Sequence, residues 1–293
     1  MIYLWIVSVI WAFSFGLIKG QLAGLDPALV ATIRLGLAFL TFLPFLRLSG
    51  LNRKLAGKLI ASGMLQFGLM YIAYISAFRY LPAWQIAIFT VFTPLYIGLI
   101  DDLLQKKFRP WLAGVVLLAV VGALILLFRQ AAWQFVLRGF LLVQISNLAF
   151  AGGQVWYKNL MQKSNKNPLQ TFALVYAGAV LLSATAALFS TRGQVIEISG
   201  SQWLTLLYLG VIASGACFFL WNLGALKTST GQLAIMNNMK IPTATAVSLI
   251  FFAESAELWR LLLGSGIMLL ALWLQAQTDS KPVPSKTRKP IMT

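Results

Sequence analysis

The sequence is made of apolar stretches, each close to the length needed to cross a lipid bilayer. A spanning helix needs about 20 mainly apolar residues, and ten such stretches follow one another with short connections. They are Ile2–Ile18, Ala28–Leu46, Leu59–Phe78, Ala83–Ile100, Trp111–Phe128, Gly139–Leu160, Leu169–Phe189, Trp203–Leu226, Gln232–Phe252 and Trp259–Ala276. Only 10% of the 293 residues are charged, whereas soluble domains carry about 25%. The sequence therefore predicts an all-α integral membrane protein of ten transmembrane helices, and excludes a soluble enzyme, a disordered chain and a collagen-like fibre.

The excess of basic residues predicts the orientation in the membrane. The chain has 23 Lys and Arg residues against 7 Asp and Glu, a net charge of +16. With the N-terminus inside, most basic residues fall in cytoplasmic segments, where membrane proteins concentrate Lys and Arg. Residues 277–293 are rich in Pro, Lys and Ser and are expected to form a disordered cytosolic tail. We expect a multi-pass protein of the cell (inner) membrane with both termini cytoplasmic and no nucleic-acid partner.

The two halves of the sequence resemble each other. Four identical or similar residue pairs align at one constant offset without a gap. The pairs are Ala77 and Ala225, Arg79 and Lys227, Pro94 and Pro242, and Trp111 and Trp259. Five spans in each half predict two repeats, residues 1–128 and 129–276, followed by the tail. Because five is odd, the second repeat enters the membrane from the opposite face, and such inverted repeats are common in transporters.

The segments Trp11-Ala-Phe-Ser-Phe-Gly-Leu-Ile-Lys19 and Leu25-Asp26-Pro27, followed by Arg34, resemble the opening of an EamA-type transporter of the drug/metabolite transporter superfamily. Ala225-Leu-Lys227, the span containing Pro242, and Glu254 resemble the second half of the same family. The resemblance covers residues 1–276. It implies ten helices with cytosolic ends, and export or exchange of amino acids, other metabolites or drugs. The family's Glu after the proline-containing helix is present in the second half only.

Lys240 is a candidate anion-binding residue because a charge at the bilayer centre costs about 2.5–3.5 kcal/mol on insertion scales. Asn237 lies three residues before it, on the same helix face, and Pro242 leaves the carbonyl of Asn238 without a donor. No span centre contains an acidic residue. We therefore expect Lys240, Asn237 and Asn238 to recognise a carboxylate. Pairing with carbonyl groups, or a position nearer the membrane interface, are the alternatives.

A second buried cation and a polar helix stripe add further candidates. Arg34 lies within the second span and either binds substrate or bonds backbone carbonyls. Gln144, Asn147, Gln154 and Lys158 follow a helical spacing in the sixth span. Such a stripe faces a cavity or a neighbouring helix rather than lipid, and we take Asn147 and Gln154 as substrate-binding candidates.

Aromatic residues complete the predicted site. Ligand sites are mostly apolar with a few polar anchors. We expect aromatic side chains at cavity depth, with Asn222 beside one of them, to contact substrate. They are Trp11, Tyr71, Tyr74 and Trp221. Packing or a place in the interfacial belt is the alternative for each.

These features together predict a secondary transporter of small organic metabolites, such as amino acids or other carboxylate-bearing compounds, working by alternating access as an exporter or exchanger. The expected partners are an anionic or zwitterionic small molecule and the lipid bilayer. The chain carries no ATP-binding P-loop motif and no histidine, so we expect no ATP, cofactor or metal and no enzymatic activity. The alternatives are a lipid or drug flippase of the same fold and, with only Asp101-Asp102 as an acidic pair, a membrane-embedded transferase.

Overall fold

The computed structural model describes residues 2–104, 106, 110–127, 133–164, 166–192, 196–227, 244–253 and 257–279. Within these residues the regular structure is helical, without strands. The helices are α1 (Ile2–Gln21), α2 (Pro27–Phe42), α3 (Arg53–Gly63), α4 (Met70–Ala77), α5 (Ala83–Phe89), α6 (Phe92–Leu104), α7 (Pro110–Leu127), α8 (Trp133–Gln162), α9 (Pro168–Thr191), α10 (Gly200–Leu207), α11 (Cys217–Lys227), α12 (residues 244–251) and α13 (Leu258–Asp279).

In the part of the chain that the structure describes, six continuous helical segments are long and apolar enough to cross a membrane. They are Pro27–Phe45, Arg53–Ala77, Ala83–Leu104, Val136–Gln162, Pro168–Thr191 and Gly200–Lys227. Three shorter apolar helices, Ile6–Gln21, Gly114–Leu126 and Leu258–Ala271, fall on the first, fifth and tenth predicted spans. The predicted ninth span, Gln232–Phe252, lies largely outside the described residues, so the ten-helix count stays a prediction.

Large apolar side chains cover the outside of the bundle. Leu117, Leu188, Phe189 and Trp273 are each more than half exposed. A water-soluble surface rarely shows so continuous an apolar face, whereas the acyl chains of a bilayer solvate it. The exterior therefore supports the membrane location predicted from composition.

Side-chain caps fix where several helices begin. Asp26 accepts hydrogen bonds from the backbone N–H groups of Ala28 and Leu29 at the start of α2. Asn52 caps α3 and Asn167 caps α9 in the same way. Each cap satisfies N–H groups that have no partner within the helix.

Two spans contain a wide, π-helical segment in their middle. Met64–Leu69 joins α3 to α4, and Tyr208–Ala216 joins α10 to α11. A π-helical turn pairs residues five apart and is frequent at functional sites. The two segments overlap when the halves of the sequence are aligned at the offset that pairs Ala77 with Ala225.

The span from Ala83 to Leu104 is broken between α5 and α6. Pro94 has no N–H group to bond the carbonyl of Thr90 four residues earlier, and the N–H of Thr93 bonds to that carbonyl instead. The carbonyl of Phe89 is thereby freed, and it accepts a hydrogen bond of 2.9 Å from Nδ2 of Asn147. A proline thus breaks this span, as the sequence predicts for the equivalent Pro242, which lies outside the described residues.

Glycines allow close backbone contact between α3 and α9. A methyl group added at Gly63 would lie 1.8 Å from the carbonyl oxygen of Val175, and one at Gly178 would lie 1.9 Å from that of Ile60. Small residues permit such approach between helices in a membrane. The crossing fixes α9 against the span that carries Met64–Leu69.

Candidate functional site

A cavity of about 570 Å³, including the part open to solvent, lies between the helices. Residues of both halves of the chain line it: Trp11, Ser14, Phe15, Arg34, Met70, Tyr71, Tyr74, Thr90, Thr93, Ser146, Asn147, Phe150 and Phe218. Six of these thirteen residues are aromatic, and most of the others carry hydroxyl or amide groups. Apolar walls with a few polar groups are typical of sites for small organic ligands.

Arg34 is the one charged side chain among the described residues that line the cavity. It lies about two turns into α2 and is only 2% exposed. Its Nη2 donates to the hydroxyl of Tyr71 at 2.8 Å and to Oγ of Ser214 at 3.1 Å. Its guanidinium carbon lies 4.5 Å from the centre of the Tyr71 ring, a cation–π contact that holds the group against the cavity wall.

The Nη1 atom of Arg34 is buried and has no hydrogen-bond partner among the described residues. No described carboxylate forms an ion pair with Arg34 either. Leaving a buried polar group unpaired costs about 1–3 kcal/mol, and more for a charged group. A carboxylate oxygen in the cavity would satisfy this donor and neutralise the guanidinium.

The π-helical segment Tyr208–Ala216 connects the residues around Arg34. The indole N–H of Trp11 donates to the carbonyl of Ala213 at 2.9 Å, and the hydroxyl of Tyr176 donates to that of Ser214 at 2.6 Å. Oγ of Ser214 lies 2.9 Å from the hydroxyl of Tyr71. One short segment therefore positions side chains from α1, α2, α4 and α9.

Asn147, from the second half of the chain, also lines the cavity and lies in a network of polar side chains. Its Oδ1 accepts from the hydroxyl of Thr93 at 3.1 Å, and its Nδ2 also lies 3.4 Å from Oε1 of Gln144. Gln144 in turn accepts from the hydroxyl of Tyr96 at 3.0 Å. Gln144 and Asn147, two members of the polar stripe predicted on α8, thus contact neighbouring helices, and Asn147 also lines the cavity.

The acidic residue nearest in sequence to Arg34 is engaged elsewhere. Asp26 caps α2, accepts from Oγ of Ser190 at 2.8 Å and pairs with Arg79 at 3.7 Å. These contacts tie the start of α2 to the end of α9 and to the turn after α4. Asp26 therefore stabilises the end of the bundle and, like the other described carboxylates, forms no ion pair with Arg34.

The structure brings together five of the predicted site residues at the cavity: Trp11, Arg34, Tyr71, Tyr74 and Asn147. Three other predicted residues are buried but are not among those lining it: Gln154, Trp221 and Asn222. The remaining three, Asn237, Asn238 and Lys240, lie outside the described residues, so their predicted role as an anion site stays a prediction.

Several lining residues were missed by the sequence analysis. Phe15, Phe150 and Phe218 form much of the apolar wall, and Ser214 holds Arg34. Phenylalanines are too frequent in membrane spans to single out. Ser214 stands in an apolar run of small residues, and the π-helical turn that aims it at Arg34 leaves no recognisable sequence pattern.

A bundle of membrane-crossing helices around a cavity rich in aromatic side chains, with one buried cation among the described lining residues, is typical of a multi-pass carrier for small organic molecules. The EamA-like transporter family model matches residues 1–128 and 137–277. The chain therefore belongs to the EamA-like transporter family, within the drug/metabolite transporter superfamily. This confirms the resemblance seen in the sequence.

Named relatives match nearly the whole chain. A "Biotin transporter" of Salmonella typhimurium is 40% identical over 94% of this chain and 92% of its own length. A "Biotin transporter" of Escherichia coli K12 is 39% identical over the same shares. A "Probable biotin transporter" of Pseudomonas aeruginosa is 38% identical over 94% of this chain and 96% of its own.

A solved crystal structure has a similar fold. It superposes with a TM-score of 0.66 at 15% sequence identity, covering 94% of this chain and 98% of that one. At this identity the likeness concerns the fold alone.

Proposed function

We propose that this protein transports biotin across the membrane, with Arg34 binding the carboxylate. The observation that carries the proposal is the buried Arg34, whose Nη1 has no described partner, at a cavity with aromatic walls. Relatives at 38–40% identity that are named biotin transporters support the choice of substrate.

The cavity suits the two chemical parts of biotin. A carboxylate can bond to the open N–H groups of a guanidinium, and Arg34 provides them. The fused rings and the hydrocarbon chain suit the apolar faces of Trp11, Tyr74 and Phe218. The proposal therefore replaces the amino acids expected from the sequence with a substrate that carries a carboxylate but no amine.

The charged groups of the cavity lining favour an anionic substrate over a zwitterionic one. None of the described lining residues is acidic, so an ammonium group would find no counter-charge beside Arg34. An amino acid would leave that group desolvated near a like charge, and both effects weaken binding. A monocarboxylate has neither penalty.

We further propose that the two halves, residues 1–128 and 129–276, rock against each other in alternating access, with the termini cytoplasmic and the protein in the inner membrane. Two observations support this: the cavity is lined from both halves, and π-helical segments recur at aligned positions. Transporters with inverted repeats place their substrate at such an interface.

The test compares biotin with biotinol, in which an alcohol replaces the carboxylate. The protein in proteoliposomes should transport labelled biotin and prefer it to biotinol. Arg34→Gln should weaken biotin binding by about 30-fold, equivalent to about 2 kcal/mol for a lost charge-assisted contact. Binding of biotinol should change little, so the preference disappears.

Arg138→Gln is the matched control, since Arg138 is exposed on α8, and it should transport biotin normally. Unchanged preference in the Arg34→Gln protein contradicts the role of Arg34. Lack of biotin transport by the unmodified protein, in either direction, contradicts the proposed function.

A further inference from the structure

A second set of buried polar side chains lies one helical turn below the cavity, toward the C-terminal ends of α8 and α11. We call Gln66, Gln154, Trp221 and Asn222 the inner amide layer. Each of the four is at most 2% exposed. None is among the residues that line the cavity, and the function of the cavity does not account for them.

The layer lies where α8 and α11 pack against each other. Asn222 follows Phe218 by one turn of α11, and Gln154 follows Phe150 by one turn of α8. The Phe150 and Phe218 rings lie 5.9 Å apart. Since α8 and α11 are both connected antiparallel to α9, they run in the same direction, and the two amides lie at one level.

Gln66 joins the two helices at this level. Its Nε2 donates to Oδ1 of Asn222 at 2.9 Å. On its other side it packs directly on Gly153, where an added methyl group would lie 2.4 Å from Cβ of Gln66. Gln154 is the next residue of α8 and is only 2% exposed.

The inner amide layer contains both donor and acceptor atoms that have no hydrogen-bond partner among the described residues. Asn222 is satisfied, because its Nδ2 donates to the carbonyl of Phe218 at 2.9 Å. Oε1 of Gln66, both side-chain polar atoms of Gln154, and Nε1 of Trp221 have no partner among the described residues. Two acceptors and two donors are thus open, and none of these groups is charged.

We propose, on the basis of the function proposed above, that the inner amide layer is a subsite for the cyclic urea group of the substrate. A cyclic urea has two N–H donors and one carbonyl acceptor. The two glutamine oxygens match the donors, and the amide and indole N–H groups match the carbonyl. A carboxylate offers only acceptors and an ammonium only donors, so neither satisfies this set.

An aromatic wall connects the subsite to the cavity. The ring of Trp11 lies 4.7 Å from that of Phe218 and 5.2 Å from that of Trp221. Phe218 lines the cavity, and its ring lies 4.9 Å from that of Phe67. In the proposed binding mode the Phe218 ring moves to open the layer, and the carboxylate at Arg34 and the urea group bind at two levels of one path.

The experiment compares carboxylates with and without the urea group. Labelled biotin uptake into proteoliposomes is competed with dethiobiotin, which keeps the cyclic urea, and with lipoic acid, which has a carboxylate on a similar chain but no urea. The unmodified protein should bind biotin and dethiobiotin at least 10-fold more tightly than lipoic acid. Gln154→Leu should lose this preference by weakening the two urea compounds while leaving lipoic acid unchanged.

Trp221→Phe is the second variant, to be used if Gln154→Leu does not fold. It keeps an aromatic ring at this position but removes the indole N–H, which has no described partner. It should reduce the preference in the same direction. An equal effect on biotin and lipoic acid in these variants overturns the subsite but leaves biotin transport and the role of Arg34 intact. Absence of biotin transport by the unmodified protein overturns both proposals.

Discussion

Ser214 shows how one small side chain determines the position of a buried cation. Its Oγ contacts both Nε and Nη2 of Arg34, at 3.3 and 3.1 Å. Together with Tyr71 it accounts for all the described hydrogen bonds of the guanidinium. This arrangement leaves Nη1 as the donor that a substrate can use.

Replacing Ser214 with Ala should loosen Arg34 without removing its charge. A hydrogen bond to a charged group contributes about 1.5–3 kcal/mol, but Tyr71 still bonds Nη2, so we expect about a 5-fold weaker biotin affinity, near 1 kcal/mol. Affinity is measured by equilibrium binding to the purified protein. Ser183→Ala is the control, since that buried hydroxyl bonds a carbonyl of its own helix, and an equal loss there would contradict the argument.

At the scale of helices, the crossing of α3 and α9 depends on direct backbone contact. Gly63 and Gly178 each lie against a carbonyl group of the other helix, so no side chain separates the two backbones. A methyl group at either position must push the helices apart, and close-packed interiors accommodate such insertions poorly.

Gly63→Ala should therefore lower the thermal stability of the purified protein, by about 1–3 kcal/mol for overpacking. Gly57→Ala, on the same helix, meets nothing within 4 Å. It should be neutral or slightly stabilising, because Ala favours helix over Gly by about 0.5–1 kcal/mol. Equal melting temperatures for the two variants would contradict the close crossing.

At the scales of the residue and the helix, the sequence predicts those features that are energetically costly to place in a membrane. A charge or amide in an apolar span is expensive, so Arg34 and Asn147 were recognisable, and the helical spacing of the α8 stripe indicated its face. Gln154 lies on the same face of α8 as Asn147, and Asn222 lies one turn of α11 from Phe218, but a spacing cannot say at which level a cavity ends. Ser214 depends on a π-helical turn, which tertiary contacts stabilise and local sequence does not mark.

At the scale of the whole molecule, the proposed orientation can be tested by labelling. Cys217 is the single cysteine and is buried, so new cysteines can be introduced without a competing exposed thiol. In intact cells, a membrane-impermeant maleimide should label Ser199→Cys, which lies on the predicted outer side. It should label Ser49→Cys, on the predicted inner side, only after permeabilisation. The reverse pattern would contradict cytoplasmic termini.

The proposed binding of a carboxylate by Arg34 makes the transported substrate an anion, and this has an energetic consequence for the direction of transport. Net movement of a monocarboxylate alone carries its one negative charge across the membrane, whatever charges the protein holds in the cavity. Each cycle that moves the anion alone therefore transfers one elementary charge through the membrane potential, worth about 2.3 kcal/mol per 100 mV. An inside-negative potential then favours efflux over uptake by about 50-fold per 100 mV. Accumulation inside the cell has to be driven by a co-transported cation or by consumption of the substrate after entry.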